Sequence, residues 1–349
     1  MIANRFMKSQ IYHLFCWFSY WLGLDTLFYW FNSRAKRVLC FHHVLPDGIS
    51  LKLPVDGFVM SAKDFRFIVQ EIGRKFRYST DINEPSSVTM TFDDGFLNQY
   101  EVAFNILSEE GDIPACLFVA GKMIGLSDPK SALDCDLLAL WATFVPEGEY
   151  VLKWNGEDKS FRINNELRRC AWLSVLRPLW IQELQSNMER GTLVKALDGL
   201  YPFDEIINRL PEKYARLRLT GISHAQLKDL KSRGWRIGWH TYSHVPLRTL
   251  SLEERDKELT APEEFAQEVM AYPFGSPDAI DDETIAIASR KEYPCAFSYM
   301  IDPGIMMARY FLPRMSVPAS KYELHCELSG LKHFLKTRRL LPRFPTTKL

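Results

Sequence analysis

Two short runs hold the residues with the most chemistry: Thr91-Phe92-Asp93-Asp94-Gly95 and His240-Thr241-Tyr242-Ser243-His244. Together they offer paired carboxylates and two imidazoles, the ligand and base set of a metal-assisted hydrolysis. On a continuing strand, adjacent aspartates would point to opposite faces, but Gly95 allows the backbone to turn sharply. One carboxylate can then bind a cation while its neighbour accepts a proton from water, whose pKa a bound metal lowers from ~15.7 toward ~7. Glycoside cleavage fits poorly, since its two carboxylates must flank a sugar bond from positions about 5–9 Å apart. Taken singly, Asp-Asp-Gly is also an ordinary turn sequence. The His-x-x-x-His pair is served equally by one helical turn or a compact loop.

Each run closes a strand-like segment. Val88-Thr89-Met90-Thr91-Phe92 leads into the first and Trp235-Arg236-Ile237-Gly238-Trp239 into the second. A third segment starting Val269-Met270 runs into Ala271-Tyr272-Pro273-Phe274-Gly275. Strand ends are where α/β folds gather their chemistry. Between the strands, helical stripes are expected from Ser61 to Phe76, from Leu97 to Glu110 and near Asp281 to Arg290, with Ser223-x-x-Gln226 and Ser251-x-x-Glu254 opening two more. Further strands are expected from Ile113 to Ala120 and from Cys295 to Tyr299. This alternation implies parallel strands joined by crossover helices. The rhythm lapses from about 126 to 220, where a hairpin around Asn155-Gly156 and mostly helical segments read as an insertion that forms a lid, a substrate groove, structural cover or a dimer contact. Trp154 within it is a candidate stacking platform for a ligand or a core residue.

With its three motifs in this order, the chain resembles the polysaccharide deacetylases, the NodB-homology group also called carbohydrate esterase family four. The family's motifs read T-F-D-D-G, H-[ST]-x-x-H and P-[YF]-G, and the likeness extends over about residues 36–125 and 220–320. The resemblance implies an α/β fold, a distorted (β/α) barrel carrying a large, mostly helical insertion. It implies Asp93 as catalytic base and Asp94, His240 and His244 as ligands of one divalent metal. Zn2+ is the default for such a set, with Co2+ or Ni2+ compatible. Backbone N–H groups near Phe274, with Tyr272 beside them, would hold the oxyanion.

Two departures from the family pattern matter. Many members begin the third motif with an arginine that pairs with the catalytic aspartate, whereas this chain has Ala271. A subset with A-Y-P-[YF]-G carries a later L-P-R, matched here by Leu312-Pro313-Arg314. Arg314 is thus the expected partner of Asp93 through a charge-assisted hydrogen bond; a surface arginine is the alternative. The usual C-terminal histidine acid is not evident, since His325 and His333 fall in a helix expected over Lys321 to Thr337. Instead, Phe41-His42-His43-Val44 on the first strand resembles the [YF]-H-x-V opening of the biofilm poly-N-acetylglucosamine deacetylases. That makes His42 the candidate acid for a departing amine, ahead of His43. A packed strand histidine is the alternative at either position.

The chain's 349 residues are enough for one large domain or two ordinary ones, and 47% hydrophobic content supplies a core. Forty-three basic residues balance 43 acidic ones, so nothing suggests a nucleic-acid partner. Seven cysteines without C-x-x-C spacing read as reduced core thiols, which leans toward the cytoplasm. Residues 11–31 hold ten aromatics among 21 positions, with Arg5 and Lys8 before them and Arg34, Lys36 and Arg37 after. Asp25 and the lack of a small-residue cleavage site make this a poor signal peptide. A helix lying on a membrane surface and a helix packed on the catalytic domain fit equally well, with a spanning helix third. The expected divisions are 1–35, 36–125, 126–220, 221–320 and 321–349. The expected place is the cytoplasm or the periphery of the cytoplasmic membrane.

The activity expected from these readings is metal-dependent removal of N-acetyl groups from amino sugars of a surface or envelope polysaccharide or its precursor. A deformylase or amidase acting on another C–N bond of a lipid-linked sugar is one alternative. A non-catalytic glycan-binding relative is another, although a pure binder needs no base beside its metal ligands.

Overall fold

The computed structural model describes residues 2–49, 59–165, 167–186, 188–266, 268–299 and 309–341. Seven parallel strands pair in chain order: β1 (Arg37–Phe41), β2 (Ser87–Asp94), β3 (Cys116–Val119), β4 (Arg236–Trp239), β5 (Met270–Ala271), β6 (Ala296–Ser298) and β7 (Leu312–Pro313). The ring closes just past β7, where Met315 bridges Leu39 of β1. There Cys40 N–H donates to Met315 O at 3.0 Å and Met315 N–H to Val38 O at 2.7 Å. The fold is a distorted (β/α) barrel of the α/β class, with helices around the outside.

Strand periodicity builds both of its cores. Val88, Met90 and Phe92 of β2 join the large cluster under the surrounding helices. A separate cluster inside the ring takes Val38, Cys116, Phe118, Ala271, Phe297 and Leu312. Gly238 makes room there, because a Cβ at that position would stand 2.1 Å from Val269 O and 2.9 Å from the Phe118 ring. Both serine-led helix starts, at Ser223 and Ser251, close as capping boxes. The helix expected from Leu97 is different: it opens as a wider π-turn over Gln99–Phe104, where the Gln99 side chain turns back to the strand ends, and only then becomes α-helical over Asn105–Glu109.

Between β3 and β4, strands Gly148–Trp154 and Glu157–Ile163 form a hairpin whose turn residues, Asn155 (φ 51°) and Gly156 (φ 79°), both have the positive φ of a type I′ turn. Helices pack around it on Trp141. Trp154 is only 3% exposed and its indole N–H donates to Gln182 Oε1 at 3.1 Å. It is a core residue, not a sugar platform.

Near the termini, α1 (Ile2–Trp21) and α2 (Leu24–Phe31) pack against α3 (Lys321–Ser329) and α4 (Leu331–Thr337). Where one helix was expected from Lys321 to Thr337, Gly330 at φ 84° ends α3 in a left-handed cap and α4 starts afresh. Among the described residues, no helix is long and apolar enough to cross a membrane. The tail beyond residue 341 lies outside the described residues. His325 is buried in this helix contact, with Nδ1 3.0 Å from Tyr29 Oη and Nε2 3.4 Å from Glu71 Oε2.

Burial pushes the His325 imidazole down to about 4 from its ordinary 6.5, so it is neutral in the fold. A base depressed in the native state leaves stability intact above the unfolded pKa and erodes it as pH falls toward the native one. Acidification from pH 7 to 4.5 should therefore cost wild type on the order of 1–2 kcal/mol more than His325→Phe, after allowance for screening. Denaturant titrations across that range check this, and parallel slopes would clear His325.

Candidate active site

Asp93 and Asp94 end β2, and the turn that follows brings both to one cavity. Asp94 adopts φ 82° and Gly95 φ 86°. A Cβ on Gly95 would also stand 2.7 Å from Val119 Cγ1. His240 follows β4 directly, its N–H bonded to Val119 O at 3.0 Å, and the run to His244 is a compact loop, not a helical turn. The buried Glu258 carboxylate holds that loop by accepting the Tyr242 and Ser243 N–H groups, each at 2.9 Å, together with the Ser243 hydroxyl. Arg190 from the segment between β3 and β4 pairs with it at 2.8 Å. Asp94, Thr241, His244 and Phe274 are four of the nine non-glycine residues with left-handed backbone among those described. Such geometry costs ~1–3 kcal/mol per residue and collects at functional sites.

Asp94 Oδ1 lies 3.5 Å from His240 Nε2 and 3.1 Å from His244 Nε2. Ligand atoms of all three residues fall within 4.8 Å of one another. His240 Nδ1 gives its proton to Ala271 O at 2.7 Å, which leaves Nε2 as a lone pair facing Asp94. His240 Nε2 and Asp94 Oδ1 are buried and neither has a hydrogen-bond partner. Burial, and then the neighbouring Asp93 charge, push Asp94 well above the usual carboxylate range. Burial also lowers both imidazoles, His244 strongly, so they are neutral. Two neutral nitrogens and one uncompensated carboxylate, converging with their acceptors unshared, fit a divalent cation with positions left open.

Asp93 is held differently. Arg314 grips it through two parallel bonds, Nη1 to Oδ1 at 2.6 Å and Nη2 to Oδ2 at 2.7 Å. Burial alone would raise this carboxyl, but the Arg314 guanidinium, and after it His240, hold it well below the usual range. Arg314 is itself buried and also donates to Thr91 Oγ1 and Ser298 O, so the surface-arginine alternative is excluded.

Both early histidines line the cavity, but they are held differently. His42 Nε2 sits 3.9 Å from Asp93 Oδ2 and its side chain reaches the cavity. His43 is packed against Phe96, with ring centres 4.3 Å apart, and its Nδ1 accepts from Asn98 Nδ2 at 3.1 Å. Phe274 lies over His244 at 4.8 Å between rings. Tyr272 lines the cavity, but its N–H goes to Phe297 O and its hydroxyl to Tyr310 O. Both of its donors are consumed by the barrel, so its part in the site is shape and not oxyanion binding.

The cavity has a volume of about 300 Å³. Asp136, Trp172, Arg177 and Arg218 roof it from the segment between β3 and β4, with Arg218 Nη2 2.7 Å from Asp136 Oδ1. None of these belongs to a motif, and the sequence reading missed them. It missed Gln99 as well, although the only amide pair inside the apolar run Phe96 to Tyr100 was a usable signal. Gln99 Nε2 donates to His42 O at 2.8 Å and to Asp93 O, while its Oε1 accepts Gly95 N–H at 3.1 Å. One amide thus pins the ends of β1 and β2 and the turn between the carboxylates and the helix. Gln99→Leu should keep cation binding but cut turnover by about 10–100-fold, because small misplacements of reacting groups carry penalties of that size. Unchanged turnover in that variant would reduce Gln99 to a packing residue.

The closed parallel barrel thus presents a carboxylate pair, two imidazoles and a buried guanidinium at the C-terminal ends of its strands, where barrels of this kind carry their chemistry. Residues 206–296 match the family model described as polysaccharide deacetylase. No curated protein matches the chain in sequence. Among solved structures it is similar to the Streptococcus pyogenes deacetylase PplD in complex with acetate, at 15% identity and a TM-score of 0.48, covering 83% of this chain and 96% of that one. It is also similar to IcaB from Ammonifex degensii, at 16% identity and 0.47, covering 85% and 98%. A de-N-acetylase from Aggregatibacter actinomycetemcomitans matches at 12% identity and 0.45, covering 86% and 99%.

Proposed function

We propose that this protein is a deacetylase that removes N-acetyl groups from amino sugars of a surface or envelope polysaccharide or its precursor, using one divalent cation held by Asp94, His240 and His244. The observation that carries this reading is the pair of orphaned buried acceptors, Asp94 Oδ1 and His240 Nε2, beside a carboxylate locked by Arg314. Zinc is the first candidate, with cobalt or nickel suited to the same donors. Bound there, the cation would supply Lewis acidity toward the acetyl carbonyl and the attacking water.

The remaining work falls to side chains. Asp93 Oδ2, on the edge nearest His42 and His240, takes a proton from the water as its oxygen adds to the carbonyl carbon. Arg314 keeps Asp93 ionised and fixes its orientation. Gly275 N–H is already given to Pro273 O at 2.7 Å, which leaves the Phe274 N–H as the oxyanion donor in this reading. His42 then protonates the nitrogen as the C–N bond breaks, releasing acetate and a free amine. A roofed cavity at the small end of ligand sites suits a single acetamido sugar at a chain end or on a precursor.

Acetate release tests this reading on N-acetylglucosamine oligomers, poly-N-acetylglucosamine and a lipid-linked acetamido sugar. Chelation should abolish release and zinc, cobalt or nickel should restore it. Turnover that survives complete metal removal would overturn the metal-dependent mechanism, and formate in place of acetate would shift the substrate to a formamide.

A further inference from the structure

The largest apolar surface lies away from the cavity. Ten of the eighteen exposed large hydrophobic residues among those described fall between positions 11 and 31. On α1, Ile11, Leu14, Trp17, Phe18 and Trp21 recur at helical spacing and are exposed, and Leu22 is exposed just past its end. The opposite side of the same helix, around Cys16 and Tyr20, packs on Cys326 and Tyr322 of α3. α2 repeats the arrangement, with Leu27 and Trp30 outward and Asp25 and Tyr29 inward. Trp21 is 65% and Trp30 70% exposed. Between positions 11 and 31 apolar residues spread beyond a single face, and the fold covers only one side of each helix.

Charge supplies a second, independent observation. Leu341 N–H donates to Asn32 Oδ1 at 2.9 Å, which returns the chain after α4 to the end of α2. Arg34, Lys336, Arg338 and Arg339 are exposed there and make no ion pair among the described residues. Of the acidic side chains close by, Glu323 pairs with His13 at 3.0 Å and Glu327 with Lys332 at 2.6 Å, while Asp25 is buried under α2. An aromatic face therefore has a cationic rim.

We propose that α1, α2 and the basic turn after α4 dock the protein on an anionic phospholipid surface, with both helices lying in the headgroup plane. Indole rings suit that boundary because they bury an apolar body while keeping a polar N–H near water. Lysines and arginines on the rim of an apolar helical face add attraction to anionic lipid. A second copy docked symmetrically on the same face would instead crowd two basic rims together. The docking rests on this surface alone and holds whether or not the metal-dependent reading of the cavity does.

The full chain is tested by co-sedimentation with phosphatidylcholine vesicles made with and without phosphatidylglycerol. Wild type should bind the anionic vesicles, lose that binding in high salt, and bind neutral vesicles at least tenfold more weakly. Trp17→Ser/Trp21→Ser/Trp30→Ser should lower anionic binding at least tenfold while leaving hydrolysis of a soluble substrate and the melting temperature unchanged. Quenching of wild-type tryptophan emission by brominated lipid gives the same answer without a variant. Absence of both vesicle binding and quenching, or binding that persists in the triple variant, would overturn the proposal. So would a wild type that is dimeric without lipid and becomes monomeric in the triple variant, because the face would then belong to a second copy.

Discussion

Asp93→Asn should lower turnover by about 10²–10⁴-fold, the usual weight of a positioned proton acceptor, while the protein still takes up its cation. The substitution keeps the shape of the side chain and removes its basicity. The proposed donor set is left whole, since Asp94, His240 and His244 form one group of converging ligand atoms and Asp93 belongs to a separate one with Cys40 and His42. Metal content by mass spectrometry and acetate release on the same preparation separate the two roles. Turnover within tenfold of wild type would remove Asp93 as the acceptor. Loss of metal together with activity would mean that Asp93, and not only its neighbour, holds the ion.

The depressed state of Asp93 bears on how such a site works. A general base performs best when its pKa lies near the working pH, and Arg314 holds this one far below it. What the pairing provides is a carboxylate ionised and aimed at all neutral pH values, at the expense of basicity. In the proposed reaction the missing driving force would come from acidifying the water, which is what a cation held beside it would contribute. The opposite shifts of Asp93 and Asp94, one carboxyl down and its neighbour up, divide the labour between two adjacent and identical side chains.

Much of this was readable in the chain because it depends on local rules. Strand alternation placed Val88, Met90 and Phe92 on one face, and Gly95 marked the turn that swings Asp94 round. Arg314 was legible only through resemblance, for 221 positions separate it from Asp93. Ala271 can do without a guanidinium because the barrel closes β7 onto β1, which sets Arg314 two strands from Asp93. Glu258 and Arg218 were not legible, since each is a polar residue in a helical segment whose burial is created by distant chain, and Gln99 left only its place in an apolar run as a signal. Residues 11–31 supported two readings because ten aromatics in 21 positions overfill any single helical stripe. One face packs inward and the surplus stays outside.

Arg314→Met should cost about 3–5 kcal/mol of folding stability, because removing one partner of a buried ion pair strands the other. Methionine fills the space of the arginine stem beside Phe118, whose ring the guanidinium approaches to 5.5 Å, so packing loss is not the main term. In wild type, the depressed Asp93 contributes stability that is complete above the unfolded carboxylate pKa and fades only as pH falls through the native value. In the variant, burial has no opponent of comparable strength and pushes the same carboxyl upward. The penalty then grows as pH rises above ~4, where the unfolded chain ionises and the native one resists. The stability gap between wild type and Arg314→Met, measured by denaturant titration of metal-free protein, should accordingly narrow from pH 7 to pH 4. Asp93→Asn/Arg314→Met should recover most of the lost stability without recovering turnover, since a neutral pair no longer buries charge but still lacks a proton acceptor. A double variant as unstable as Arg314→Met alone would show that the guanidinium stabilises the barrel through Thr91 and Ser298, and that its grip on Asp93 carries little of the energy.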